Sequence, residues 1–412
     1  MKQINFTLLA AGILFGCFFQ VARADVLDNW TTNQITTNSF GLHHVVFGNG
    51  CFVAVGESGD AGRIYTSTDG LKWTTQFSDF NSWGMTLHYA NGYFAGIGGN
   101  NYVNVSTNGT NWVSTHLAGQ LYSYNYAGNC VTYGHSLYVA VGDINGIGNI
   151  ITSADGVTWT SRSISPSTGG RIFSVVYGGN RFVAVGNNDG YEYTSTGFSV
   201  GTNWTQRSIP GGNKISYGNG LFIVPLNNKT NLISTDGISW SFNSTGLTNQ
   251  LGFITYGNGL FMAQCAIALS GSYLATSVDG TNWFQYAKKL PNYWDGFDST
   301  DFDVSLATDG NHLVNVGARN QNLNFPQNPN SYCGVVMTSD VLVGVRTTNN
   351  PTRKVVISGL VGRNYQIQSA DSLGSSSNWR TNTSLQLTNT PFIWTDVTAT
   401  NAARFYRAVL MP

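Results

Sequence analysis

Ser67-Thr68-Asp69-Gly70-Leu71-Lys72-Trp73 decides the fold, because the chain writes this phrase repeatedly. Close copies run from Ser106 to Trp112, with Asn108 in the Asp place, from Ser153 to Trp159, from Ser234 to Trp240 and from Ser277 to Trp283. A stretched copy starts at Ser195 and ends at Trp204. The tryptophans stand 36 to 47 residues apart, a period that holds several short strands. Within each copy Asp-Gly is turn chemistry: the carboxylate accepts N–H bonds from the residues just beyond it, and Gly takes the positive φ.

Upstream of each copy lies a hairpin. Phe52, Phe94, Tyr138, Phe182, Phe222, Phe261 and Leu313 fall on one repeat position, and Phe47, Tyr89, Tyr133, Tyr177, Tyr217, Tyr256 and Thr308 stand five residues earlier. Between them three repeats read Gly-Asn-Gly and the others mostly Gly- and Asn-bearing variants, which suit a two-residue hairpin turn. A third strand such as Arg63-Ile64-Tyr65-Thr66 precedes the Asp-Gly turn, and a fourth starts at the Trp. Four antiparallel strands per repeat make a propeller blade, and seven hairpins predict an all-β, seven-bladed β-propeller. The last repeat lacks a fourth strand after Asp340, whereas Trp30-Thr31-Thr32-Asn33-Gln34 resembles Trp73-Thr74-Thr75-Gln76. The N-terminal strand is therefore expected to close the last blade and remove two exposed sheet edges.

The phrase resembles the Asp box of BNR-like, sialidase-like propellers, carried here by Asp69 and Trp73, Asp155 and Trp159, Asp236 and Trp240, and Asp279 and Trp283. The spacing is one residue shorter than the usual box, and the likeness covers roughly residues 25 to 345. It implies a turn far from any active centre, with the indole packed between sheets, so these residues are expected to be structural. Asp-box propellers include hydrolases, receptors and assembly factors, so the resemblance speaks to fold and not to activity.

Residues 1–24 read as a secretory signal: Lys2, an apolar run from Ile4 to Phe19, and Ala22-Arg23-Ala24 before Asp25. The run is too short for a membrane span, and Phe15 spoils a lipid-attachment box at Cys17. The expected product is a secreted, periplasmic or cell-surface monomer cut after Ala24. Taking Lys2 and Arg23 from the 20 basic residues leaves 18 against 20 acidic ones, a balance that implies no nucleic acid and no membrane surface as partner. No nucleotide motif occurs and no cofactor is implied. Cys51, Cys130, Cys265 and Cys333 form no metal spacing, so the choice is between buried free thiols and one or two disulfides, with Cys265 and Cys333 the most plausible couple. The propeller is expected over residues 25–344. From 345 to 412 the period gives way to alternating strands, which predict a small C-terminal β-sandwich. Its Gly359-Leu360-x-Gly-x-x-Tyr365-x-Ile367-Gln368 start and Phe405-Tyr406-Arg407 end look like the short modules that close many exported bacterial proteins.

Strand order puts the connections between strands 2 and 3, and between strand 4 and the next blade, on one face; the Asn-Gly and Asp-Gly turns share the other. The varied face is where binding is expected. Its candidate residues are Glu57, Asp60, Arg63, Tyr124, Asp189, Glu192, Trp294 and Arg319, with aromatics for stacking on sugars or gripping peptide side chains. Asp143 and Lys229 belong to the same face. The leading expectation is a non-catalytic binder of a glycan or an extracellular protein. An alternative is a sialidase-like glycoside hydrolase using Glu57 or Glu192, the only glutamates, with an Asp partner about 5 to 10 Å away. The resemblance would then require arginines converging on a substrate carboxylate, drawn from Arg63, Arg162, Arg171, Arg207 and Arg319; Arg162 and Arg207 share one fourth-strand slot and read as repeat decoration. A structural surface or assembly protein is the third class. The acidic run Asp295, Asp298, Asp301, Asp303 reads as a solvated loop. His43 and His44 are expected to point to opposite faces of their strand.

Overall fold

The computed structural model describes residues 30–35, 41–58, 61–80, 85–98, 101–117, 121, 130–144, 147–162, 164–165, 171–188, 191–198, 203–209, 212, 214–226, 229–257, 260–267, 271–277, 279–289, 305–309, 312–320, 332–340, 344–348, 353–358, 364–370, 379–386, 392–396 and 405–411. One compact unit comprises Asn29–Asp340, and a second holds Val341–Pro412. Among the described residues no helix is long and apolar enough to cross a membrane.

The first unit starts with β1 (Trp30–Gln34). A first antiparallel sheet follows from β2 (Gly41–Gly48), β3 (Cys51–Ser58), β4 (Ala61–Ser67) and β5 (Thr74–Phe80), and a second from β6 (Thr86–Ala90), β7 (Tyr93–Gly98), β8 (Tyr102–Ser106) and β9 (Val113–His116). The third contains β10 (Cys130–Gly134), β11 (Leu137–Ile144), β12 (Ile147–Ser153) and β13 (Thr160–Arg162). The short β14 (Ile164–Ser165) then pairs parallel with the outer strand of the fourth sheet, β15 (Arg171–Gly178), β16 (Arg181–Asn188), β17 (Tyr191–Phe198) and β18 (Asn203–Ile209). The fifth is β19 (Ser216–Gly218), β20 (Leu221–Pro225), β21 (Thr230–Ser234) and β22 (Ser241–Ser244); the sixth is β23 (Leu251–Gly257), β24 (Leu260–Ile267), β25 (Gly271–Ser277) and β26 (Phe284–Lys289). Finally β27 (Leu306–Thr308), β28 (His312–Asn320) and β29 (Tyr332–Asp340) take β1 as their fourth strand, with Trp30 opposite Ser339 and Gln34 opposite Val335.

The first strands touch in sequence order, β2 with β6, then β10, β15, β19, β23 and β27, and β27 touches β2. This is an all-β propeller of four-stranded antiparallel blades, with the first-strand edges innermost. The last sheet is completed from the other end of the chain, as the sequence led one to expect.

Hairpin chemistry explains the local structure. Asn49 and Gly50 sit at φ 49° and 73°, as do their counterparts Asn91 and Gly92 at 49° and 88°, the left-handed pair that a tight hairpin with the right twist needs. The two aromatics flanking each turn face each other across the strand pair: Phe47–Phe52, Tyr89–Phe94, Tyr177–Phe182 and Tyr217–Phe222 have centroids 4.6 to 4.8 Å apart. The Gly before the turn has a separate duty. A Cβ at Gly48 would strike the Tyr89 ring, and at Gly134, Gly178 and Gly218 it would strike Tyr177, Tyr217 and Tyr256. In these four steps a blade thus lays a ring on the hairpin of the blade before it.

Apolar clusters fill the spaces between sheets. Val53, Val55 and Ile64 of the first sheet pack with Met85, Leu87 and Phe94 of the second. Leu42, Val45, Phe52 and Tyr65 of the first pack with Ala307, Val314 and Val316 of the last. Three sequence expectations need correction. Cys265 is a buried free thiol, so the couple with Cys333 is not formed. The fourth strand starts after the Trp in most repeats, as β13 does after Trp159 and β26 after Trp283. A β-bulge falls between Leu42 and His44, so simple alternation fails at His43, and both histidines are buried.

The second unit has two three-stranded sheets. One is β30 (Gly344–Thr348), β31 (Arg353–Ser358) and β34 (Phe392–Asp396); the other is β33 (Arg380–Gln386), β32 (Asn364–Ala370) and β35 (Phe405–Leu410). Ile357 of the first and Tyr365 and Ile367 of the second form one buried cluster. Tyr406 Oη donates to the buried Asp396 Oδ2 at 2.6 Å.

Candidate functional site

The repeated turns are saturated with internal bonds. Asp155 Oδ1 accepts the N–H groups of Val157 and Thr158 at 2.8 and 2.7 Å and the Ser153 hydroxyl at 2.8 Å. Gly156 N–H donates to Ser153 Oγ at 2.8 Å, and the Trp159 indole donates to Gly156 O at 3.1 Å. Asp69, Asp236 and Asp279 repeat the pattern. Asn108 Oδ1 takes the same two N–H bonds, from Thr110 and Asn111, so the loss of charge in this copy leaves the acceptor in place.

Two backbone donors, from Ser239 and Ile238, hold the Asp236 carboxyl down at about 2. At Asp279 burial pushes upward, but the bonds from Asn282, Thr281 and Ser277 outweigh it and bring the carboxyl to about 2. The turns also lock blades together. A Cβ at Gly109, Gly156, Gly237 or Gly280 would press on Val53, Val105, Val183 or Ile223 of the preceding blade. Trp73, Trp159 and Trp283 pack against Phe52, Tyr138 and Phe261 with centroids 6.4 Å apart. Trp240 packs in its inter-blade cluster too, although its indole N–H has no partner among the described residues.

On the opposite face the candidates come from strand ends. Glu57 and Arg63 flank the β3–β4 connection, opposite Gly62 and Gly56. Glu192 lies at the start of β17 opposite Asn187, and Arg319 near the end of β28 opposite Cys333. Antiparallel order within each sheet therefore sets these four at the strand 2–3 end of their blades. Asp60, Tyr124, Asp189 and Trp294 lie outside the described residues, as do the side chains of Glu57, Glu192 and Arg319 and the acidic run 295–303. Three of the arginines are committed elsewhere. Arg171 Nε lies 3.7 Å from the buried Asp143 Oδ2 of the preceding blade. Arg162 Nε donates to Thr152 Oγ1 at 2.7 Å, matching Gln76 with Thr66 in the first repeat. The Arg63 charge faces Tyr65, two residues along the same strand. The Lys229 carbonyl accepts the Thr245 N–H and hydroxyl.

Sequence reading missed a second grouping, on the innermost strands. Three residues before the first hairpin aromatic, successive repeats carry His44, Thr86, Cys130, Ser174, Lys214, Phe253 and Ser305. Two of the small polar members tie blades together: Ser305 Oγ donates to Val45 O at 2.9 Å, and Ser174 Oγ accepts the Ile215 N–H at 3.3 Å. The departures from Ser and Thr in this column were the signal available. The Phe253 ring lies 5.8 Å from His44, 6.4 Å from His88 and 5.7 Å from Lys214 Nζ. Phe253 belongs to the sixth sheet and His88 to the second, which are not neighbours, so this contact crosses the middle of the propeller. Cys130 Sγ stands 3.1 Å from His88 Nε2 and donates to Val175 O at 3.4 Å.

Fold and site together define an all-β propeller whose repeated turns are held by internal hydrogen bonds. No known family and no curated protein matches the sequence. Among solved structures the chain is similar to YCF48 from Cyanidioschyzon merolae, with 14% identity, a TM-score of 0.48, and coverage of 75% of this chain and 98% of that one. It is also similar to the computationally designed Ika8 protein, with 11% identity, a TM-score of 0.42, and coverage of 73% and 97% respectively.

Proposed function

We propose that the mature chain is a secreted, seven-bladed β-propeller of the Asp-box kind that binds a glycan or an extracellular protein through its varied face, without catalysis of its own. The observation that carries this reading is the asymmetry between the faces. Turn residues on one face are spent on neighbours: Asn49 Nδ2 donates to Gly92 O and Thr107 O, and Asn91 Nδ2 to Tyr133 O. The other face carries connections from two residues, 145–146, up to the long segments 117–129, 290–305 and 321–331. Such variation on a rigid frame is where recognition sites accumulate. Export is supported by residues 1–24, the blade count by the circuit of first strands from β2 back to β2, and a C-terminal sandwich by the cluster shared between its two sheets. The commitment of Arg63, Arg162 and Arg171 favours binding over the hydrolase alternative.

The test is a glycan and extracellular-matrix array probed with purified protein, followed by the Tyr124→Ala/Trp294→Ala variant. Binding that falls at least about tenfold in the variant, at unchanged melting temperature, supports the reading; loss of a stacked aromatic costs on this order. Turnover of a fluorogenic glycoside that disappears in Glu57→Gln or Glu192→Gln would replace it with the hydrolase. An empty array, or binding indifferent to the variant, would leave the structural class.

A further inference from the structure

We propose that Cys130, paired with His88 at the centre of the propeller, is a reactive thiol and a modification site whose ligand class is a small hydroperoxide. The pairing is geometric: Sγ to Nε2 is 3.1 Å, between the third and second blades. In the same column Ser305 performs the inter-blade bond with a hydroxyl, donating to Val45 O as Cys130 donates to Val175 O. A hydroxyl meets the structural need, so the sulfur adds something that packing does not require: a nucleophile beside a base.

The surroundings suit an anion. Burial works against ionisation, but the His88 charge and hydrogen bond, with Lys214 further off, outweigh it and draw the thiol below its ordinary value. The other two free cysteines go the other way, for burial raises Cys51 and pushes Cys265 up to about 12. Cys130 is 3% exposed and its neighbours His88, Lys214 and Phe253 are half-buried, so only a small reagent could reach the sulfur. Hydrogen peroxide, little larger than water, fits that restriction.

In the step, the Cys130 thiolate attacks one peroxide oxygen; the S–O bond forms and the O–O bond breaks. The proton that the thiol gave up to His88 Nε2 passes to the departing hydroxide, which leaves as water. Sulfur is oxidised by two electrons to the sulfenic acid, and the peroxide is reduced.

The experiment treats the folded protein at neutral pH with limiting hydrogen peroxide for set times, removes the peroxide with catalase, unfolds the protein in dimedone, which traps sulfenic acids, and reads each cysteine by peptide mass spectrometry. Label at Cys130 is expected to accumulate at least about tenfold faster than at the half-buried Cys51, and to slow several-fold in His88→Gln, where the thiol loses the partner that favours its charged form. Exposure alone predicts the reverse order. Labelling of Cys51 first, or label at Cys130 only when the protein is unfolded before the peroxide is added, overturns the proposal on the wild-type protein alone. An equal rate at Cys130 in a folded His88→Gln variant would overturn the pairing.

Discussion

Replacing Gly134 with Ala tests the way blades are stacked. The added Cβ would stand 2.0, 2.3 and 2.4 Å from Tyr177 Cγ, Cδ1 and Cδ2, against an optimal carbon separation of about 3.5 to 4.0 Å. The ring has little room to retreat, because it packs on Phe182 at 4.8 Å between centroids and its hydroxyl bonds Asn180 Oδ1 at 3.0 Å. Overpacking of this depth costs about 1–3 kcal/mol, with this site at the upper end. Removing a glycine from the unfolded chain returns about 0.4–1 kcal/mol, so the net loss should be about 2 kcal/mol. Equilibrium unfolding in urea measures it. In a Tyr177→Ala background the clash is gone, and Gly134→Ala should become neutral or stabilising; the sign change isolates the pair. Gly50 supplies a contrast, with φ +73° and nothing within 4 Å of a Cβ, so Gly50→Ala should cost about 1–2 kcal/mol whichever aromatic follows. A neutral Gly134→Ala, or one equally damaging with and without Tyr177, refutes ring-on-glycine stacking.

Trp159→Ala removes a side chain that is 8% exposed and an indole bond to Gly156 O, and should cost about 3–5 kcal/mol in the same assay without selectively altering ligand binding. Deleting residues 25–36 strips β1 from β29 and bares a strand edge, so the variant should aggregate by light scattering where the intact protein does not. Asp236 and Asp279 have folded values near 2 against an ordinary 3.8, so their stabilisation is present above about pH 4 and is lost as pH falls towards 2. Asp236→Asn/Asp279→Asn keeps the acceptor, as Asn108 does, and should flatten the decline of melting temperature between pH 4 and 2; an unchanged profile would contradict the turn chemistry.

The hairpins, the aspartate turns and the closing pair of β1 with β29 were legible because each depends on residues adjacent in sequence or on a pattern repeated in register. What was not legible depends on where distant strands meet. Nothing in Ile164-Ser165 announces a parallel edge strand, and the bulge at His43 comes from the register of β2 on β3. Cys265 stays a free thiol because distance in space, and not the order of strands, decides a disulfide. The pairing of Cys130 with His88 joins different columns of different repeats, and only the blade geometry brings them together. On the varied face, sequence order located Glu57, Arg63, Glu192 and Arg319 at the ends of their blades, since antiparallel alternation alone fixes which connections share a side.

The central claim, that one face is scaffold and the other recognises, is tested most directly by hydrogen exchange of the purified protein with and without a ligand selected on the array. Protection on binding should appear in segments 117–129, 290–305 and 321–331, with the turns at 69–73, 155–159, 236–240 and 279–283 unchanged. Protection confined to those turns, or absent from all three long segments, would contradict it.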